Sequence, residues 1–143
     1  MAPDPSSLLL GLHVAAGAAA LGLGPLAMVG RRWQRALGAG YQGAVAVLST
    51  TALGLVAIDL ARLWWLVPFA IGTQAAVIGG WWLGRHGSDR VTPGRVRLMG
   101  GSYVSLITAL LVVSWGHPLS WVLPSAVGVF IVEAAAARAG RSR

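Results

Sequence analysis

Residues able to carry acid–base or ligand chemistry are few in this chain. Three histidines, four acids and eleven arginines are spread over 143 residues, with no lysine and no cysteine. Thiolate chemistry and cysteine-ligated metals are therefore excluded. Four polar residues can share one side of a helical protein: His13, Asp59, Arg62 and His117. Asp59 and Arg62 are three apart and pair if helical geometry runs through them. His13 with Asp59 is the combination that can act as an acid and a base near one cavity. A bis-histidine haem needs both imidazoles facing one space, and His117 precedes Pro118, which favours an extended backbone there. A metal ion would want a third ligand, and only Asp59 is on offer. No cofactor and no metal site is predicted, with haem or a quinone as the alternative.

Glu133 is an acid inside an apolar stretch, about one helical turn from its end. A lone charge in lipid costs several kcal/mol, so it is expected to pair with Arg138 or with the arginines that precede the fourth apolar stretch. A structural ion pair is preferred to a proton relay. Gln74 and the Ser49-Thr50-Thr51 run can bond across helices or to their own backbone carbonyls. His86 falls in Arg-His-Gly-Ser-Asp-Arg, a run with the character of a solvated loop.

These residues must be held by something, and composition says what. The chain is 56% hydrophobic and only 10% charged, where a soluble domain carries roughly a quarter. So few charges cannot cover a water-facing exterior. An ordinary globular enzyme, a disordered tail and a disulfide-stapled module are excluded. The expected fold is all-α, an integral membrane bundle formed as one unit over 1–143. Apolar stretches run over about 8–29, 40–58, 63–83, 98–115 and 121–137, each long enough for a hydrocarbon core of about 30 Å. The last is the shortest and has Pro124 in its first turn, so four spans plus a re-entrant segment is the alternative. The first stretch reads as a retained span: the residues before it carry no positive charge, and it is about twice the length of a signal-peptide core.

The arginines fall in three clusters: Arg31, Arg32 and Arg35; Arg85, Arg90, Arg95 and Arg97; and Arg138, Arg141 and Arg143. With five spans, ten arginines share one side and Arg62 is alone on the other. The bias predicts an outside N-terminus and a cytoplasmic C-terminus, and the Arg-only, Ala-rich composition points to the cytoplasmic (inner) membrane of a bacterium. Membrane lipids, a second copy or another membrane subunit are the expected partners, and nucleic acid is not. Small residues recur every fourth position in the first span, as Gly11, Ala15 and Ala19 and as Ala16, Ala20 and Gly24, which lets helices approach closely. Gly24-Pro25 is expected to kink that span. Trp64, Trp65, Trp115 and Trp121 fall at outer ends, and Trp33, Tyr41, Trp81 and Trp82 at inner ends, as in an interfacial belt. Trp64 and Trp65 can alternatively wall a flat ligand beside Asp59 and Arg62.

Three stretches resemble a bacterial family of predicted polytopic membrane proteins of unknown function. They are His13-x-x-x-Gly17 with Gly22-x-Gly24, Arg35-x-x-Gly38-x-x-Tyr41, and Arg97-x-Met99-x-x-Ser102-Tyr103. Gln34 and Arg95 stand where that family often has histidine. The resemblance implies a small helical bundle and brings no reaction with it.

The leading expectation for function is a non-enzymatic bundle that binds an apolar, lipid-like ligand or serves as a subunit of a larger membrane assembly. The candidate binding residues are His13, Asp59, Arg62, Trp64, Trp65 and His117, with Glu133 as the intramembrane acid. The alternatives are a small transporter or channel subunit, and a membrane-embedded enzyme using His13 and Asp59 on an isoprenoid or quinone-like substrate.

Overall fold

A computed structural model describes residues 4–29, 33–86 and 92–141. The described elements are helical: α1 (Pro5–Val29), α2 (Gln34–Ile58), a single turn α3 (Leu60–Leu63), a short 3-10 turn (Trp64–Leu66), α4 (Val67–His86), α5 (Pro93–Trp115) and α6 (Leu119–Arg141). The two short turns run into α4, so Leu60–His86 forms one span of 27 residues. Five segments are long and apolar enough to cross a membrane. This is an all-α, multi-pass membrane protein.

Each helix extends past the apolar stretch that announced it. Polar flanks continue the backbone hydrogen bonding that the apolar run begins, and they are capped where the sequence supplies an acceptor. Asp4 accepts at α1, from Ser7 N–H to its carbonyl at 3.0 Å and from the Ser6 hydroxyl to its carboxylate. Thr92 accepts from Arg95 N–H at 3.3 Å with Pro93 in the first turn of α5, where a missing N–H does no harm. α1 continues through Pro25. α6 begins at Leu119, so Pro124 is an interior residue rather than part of the first turn, and the helix has 23 residues. At 1.5 Å per residue it reaches about 34 Å, a full crossing. His86 closes the last turn of α4 and is not a loop residue. Arg31, Arg32, Arg90 and Arg143 lie outside the described residues.

The chain forms two compact units, Met1–Gln74 and Ala75–Arg143; α4 contributes residues 67–74 to the first and 75–86 to the second. In the first unit α1 and α2 make an antiparallel hairpin. Ala16, Ala20, Gly24 and Ala27 form the buried face of α1, while Gly11, Ala15 and Ala19 stay exposed. On α2 the fully buried side chains are Tyr41 and Val45. Leu23 lies against Gly40, Leu48 against Gly17 and Leu9 against Gly54, pairs that are almost equidistant from residue 32. Further along, the Ser49 hydroxyl donates to the Ala70 carbonyl at 3.5 Å, tying α2 to the start of α4.

The second unit is built on glycine notches. A Cβ placed on Gly128 would stand 2.4 Å from Val104 Cγ2, and one on Gly100 would stand 2.6 Å from Val132 Cγ2. α5 and α6 therefore interlock reciprocally, a valine of each filling a gap in the other. Thr108 and Ser125 hydroxyls meet at 3.3 Å on the same seam. Helices in lipid gain nothing from excluding water, so this close approach is their main source of association. Gly116 makes the turn between them at φ 61° and donates to the Val112 carbonyl at 3.0 Å; a Cβ disfavours that left-handed backbone. Gly80 repeats the device between α4 and α5, with Met99 Cγ 2.7 Å from where its Cβ would be.

Alanine at Gly128 or Gly100 is expected to destabilise detergent-solubilised protein by about 1–3 kcal/mol through overpacking. Alanine at Gly101, where a Cβ would meet nothing within 4 Å, should be neutral or stabilising by up to about 1 kcal/mol. Unfolding of the three variants in denaturing detergent checks the contrast.

Candidate functional site

His13 is half-buried on α1, and its Nδ1 lies 3.0 Å from the hydroxyl of Thr51 on α2. Thr51 is itself buried, and its Oγ1 lies 2.8 Å from the Val47 carbonyl and 2.9 Å from the Leu48 carbonyl. This is a side-chain hydrogen bond between two spans, formed well inside both. Thr51 stands eight residues before Asp59 on the chain, which is about 12 Å along a helix. His13 therefore meets Thr51 rather than Asp59, and the acid–base pair expected of His13 and Asp59 does not form.

Asp59 and Arg62 are both exposed. Their three-residue spacing would pair them on a continuous helix, but the backbone leaves helical geometry at Asp59, with φ −134° and ψ 66°. Asp59 instead ends α2 by donating its N–H to the Leu55 carbonyl at 3.2 Å, and its own carbonyl accepts from Leu63 N–H at 3.0 Å. No ion pair joins it to Arg62 among the described residues. The Arg62 carbonyl accepts the indole N–H of Trp65 at 3.0 Å, and Trp64 is exposed. This junction is a compact reversal of the chain, carried by backbone bonds.

His117 is exposed and caps α6. Its Nδ1 accepts from Leu119 N–H at 3.2 Å, and its carbonyl accepts from Ser120 N–H at 2.9 Å. Nδ1 of His117 thus serves as an acceptor here. His86 is the reverse case, its Nδ1 facing the Trp82 carbonyl at 3.2 Å and therefore protonated. Its ring stacks on Trp82 with centroids 4.8 Å apart, and the neighbouring Arg85 guanidinium lies 4.7 Å over Trp81. Among the described residues no three of His, Asp and Glu gather as a metal site would need.

Glu133 has the structural partner its sequence position calls for. Arg97 on α5 holds it through Nε–H to both carboxylate oxygens, at 2.9 and 3.1 Å, and through Nη2–H at 2.9 Å. Both side chains are about half exposed, at 55% and 51%. The fork geometry of guanidinium and carboxylate neutralises two charges on the outward face of the α5–α6 seam.

Two things escape sequence reasoning. Thr51 bonds across helices and to its own backbone as the Ser49-Thr50-Thr51 run is expected to, but its partner, His13, is not foreseen; the signal for it is hairpin symmetry, since His13 and Thr51 stand equally far from residue 32. Gln42 is the other: its Oε1, like that of Gln74 and the hydroxyl of Ser120, is buried without a hydrogen-bond partner among the described residues. No family model, curated protein or solved structure matches the chain.

Arg97→Glu or Glu133→Arg alone is expected to lower the thermal midpoint, because each places two like charges across the seam. The double reversal should recover most of the loss. Thermal melts of the three variants in one detergent decide whether the pair is structural; single reversals that leave the midpoint unchanged would deny it that role.

Proposed function

We propose that the protein is a non-enzymatic, multi-pass component of the bacterial cytoplasmic membrane that binds an apolar, lipid-like ligand against its helices or serves as a subunit of a larger membrane assembly. The observation that carries this reading is how little the chain covers of its own spans: between 11% and 28% of each apolar window is buried. The rest is surface for lipid, ligand or partner. α6 is the extreme case, with Val122, Leu123, Val127, Val129, Phe130 and Ile131 exposed in one helix. On α1 the exposed Gly11, Ala15 and Ala19 face suits close approach by a further helix. The polar groups bond within the protein, as capping, back-bonding, helix-bridging or ion-paired residues, which suits a scaffold better than a reaction centre.

In this reading the N-terminus is outside and the C-terminus cytoplasmic, as the arginine distribution implies. The likeness to the family of polytopic membrane proteins belongs to the same reading. Mild-detergent purification followed by mass spectrometry of the intact protein tests it. A stoichiometric apolar molecule or a second membrane protein retained with the chain is the expected result. A monodisperse, ligand-free monomer obtained equally from native membranes and from lipid nanodiscs would refute it.

A further inference from the structure

We propose that Nε2 of His13 is the docking atom for a hydroxyl group carried by an otherwise apolar, membrane-dissolved molecule. The proposal rests on the ligand-binding reading above and names the atom and the chemistry. The protonation of the ring follows from its neighbour. Thr51 Oγ1 lies 2.8 and 2.9 Å from two carbonyl oxygens, and oxygens that close repel unless a proton stands between them. The one hydroxyl proton of Thr51 is therefore committed to its own backbone, a habit of threonine within helices. Toward His13 Nδ1, at 3.0 Å, Thr51 can only accept. Nδ1 then carries the imidazole proton, and Nε2 is left with its lone pair.

That lone pair is neither used nor hidden. Nε2 makes no hydrogen bond among the described residues, and it is not one of the buried unpartnered atoms. His13 is half-buried, so Nε2 opens onto the surface of the α1–α2 hairpin. Its depth decides what can meet it. His13 is eight residues into the 25-residue α1, about 12 Å from the start of a helix about 37 Å long. Centred on a hydrocarbon core of about 30 Å, that puts the backbone of His13 roughly 8 Å below the edge, with the ring leaning some way back toward it but still within the hydrocarbon. Water and phospholipid headgroup donors belong above that level. An acceptor here is satisfied by a donor brought in on an apolar skeleton, and a single neutral nitrogen accepts one hydrogen bond. Phenolic and isoprenoid alcohols share this chemistry; their oxidised or deoxygenated counterparts lack it.

The test uses the full chain in phosphatidylcholine nanodiscs with three probes: a decyl-benzoquinol, the matching decyl-benzoquinone and farnesol. Quinol and farnesol offer an O–H, and the quinone offers acceptors only. Retention measured by native mass spectrometry should favour the quinol over the quinone by about tenfold or more, the worth of one hydrogen bond. Farnesol retained in place of quinol also supports the site and identifies the alcohol as aliphatic. In histidine-labelled protein the His13 resonances should report Nδ1 protonated, and the Nε2 signal should move when the favoured probe is added. His13→Asn separates binding from folding: its amide N–H can serve Thr51 as Nδ1–H does, but nothing stands at Nε2. It should keep the thermal midpoint within a few degrees and lose the preference for the hydroxyl probe. Equal retention of quinol and quinone, an unchanged preference in His13→Asn, or an Nε2-protonated ring would overturn the proposal. A co-purified ligand retained equally by wild type and His13→Asn would sink the His13 site while leaving the broader reading intact; loss of every ligand and probe from the wild type would remove both.

Discussion

Inside a bilayer a backbone N–H or C=O has no water to turn to, and this constraint governs everything else in the protein. Only structures that close their own hydrogen bonds can cross, so each apolar segment must be a helix over its whole length. The helices then have no hydrophobic reason to associate, because lipid is as apolar as they are. What holds them is shape. Val104 seats at Gly128 and Val132 at Gly100, while α1 lays its Ala16, Ala20 and Gly24 face into the first unit. A single left-handed glycine at position 116 then sets how α5 returns as α6.

Hydropathy made the five spans legible before any coordinates, and residue type made the Glu133 pair legible. The helix ends were harder to read, since mixed flanks such as residues 34–39 and 93–97, interrupted by arginine and glycine, break the apolar run yet continue the backbone ladder. Which small-residue stripe packs inside was not readable either. Gly11, Ala15 and Ala19 look the same in sequence as Ala16, Ala20 and Gly24, and only the direction of α2 distinguishes them. Asp59 and Arg62 misled for a definite reason: three-residue spacing implies a pair only on a continuous helix, and the backbone breaks at Asp59 itself. The His13–Thr51 bond could have been found. Once two spans are known to form a tight hairpin, residues equidistant from the turn face each other, and an approximate symmetry about the turn at Gly116 brings Arg97 near Glu133.

The polar residues divide by what they do for that architecture. Most serve it locally: Asp4 and His117 cap helices, Thr50 and Thr51 bond back to their own turns, and Arg97 neutralises Glu133. His13 is different, because one ring nitrogen locks α1 to α2 while the other faces outward with its lone pair unspent. A residue so placed does structural work and, on the proposed reading, leaves an acceptor for a ligand. That is why substitution by a residue that keeps only the first nitrogen's role separates the two.

The claim on which the account rests is that the chain crosses the membrane five times, with its connections on alternate sides. The protein has no cysteine of its own, so single cysteines report their position unambiguously to a membrane-impermeant maleimide. Cysteine at Asp59 and at His117 should be labelled in cells whose cytoplasmic membrane is intact. Cysteine at Arg35 and at Thr92 should be labelled only after permeabilisation. If positions 59 and 117 label under opposite conditions, the chain between them does not cross twice and the five-span architecture is wrong.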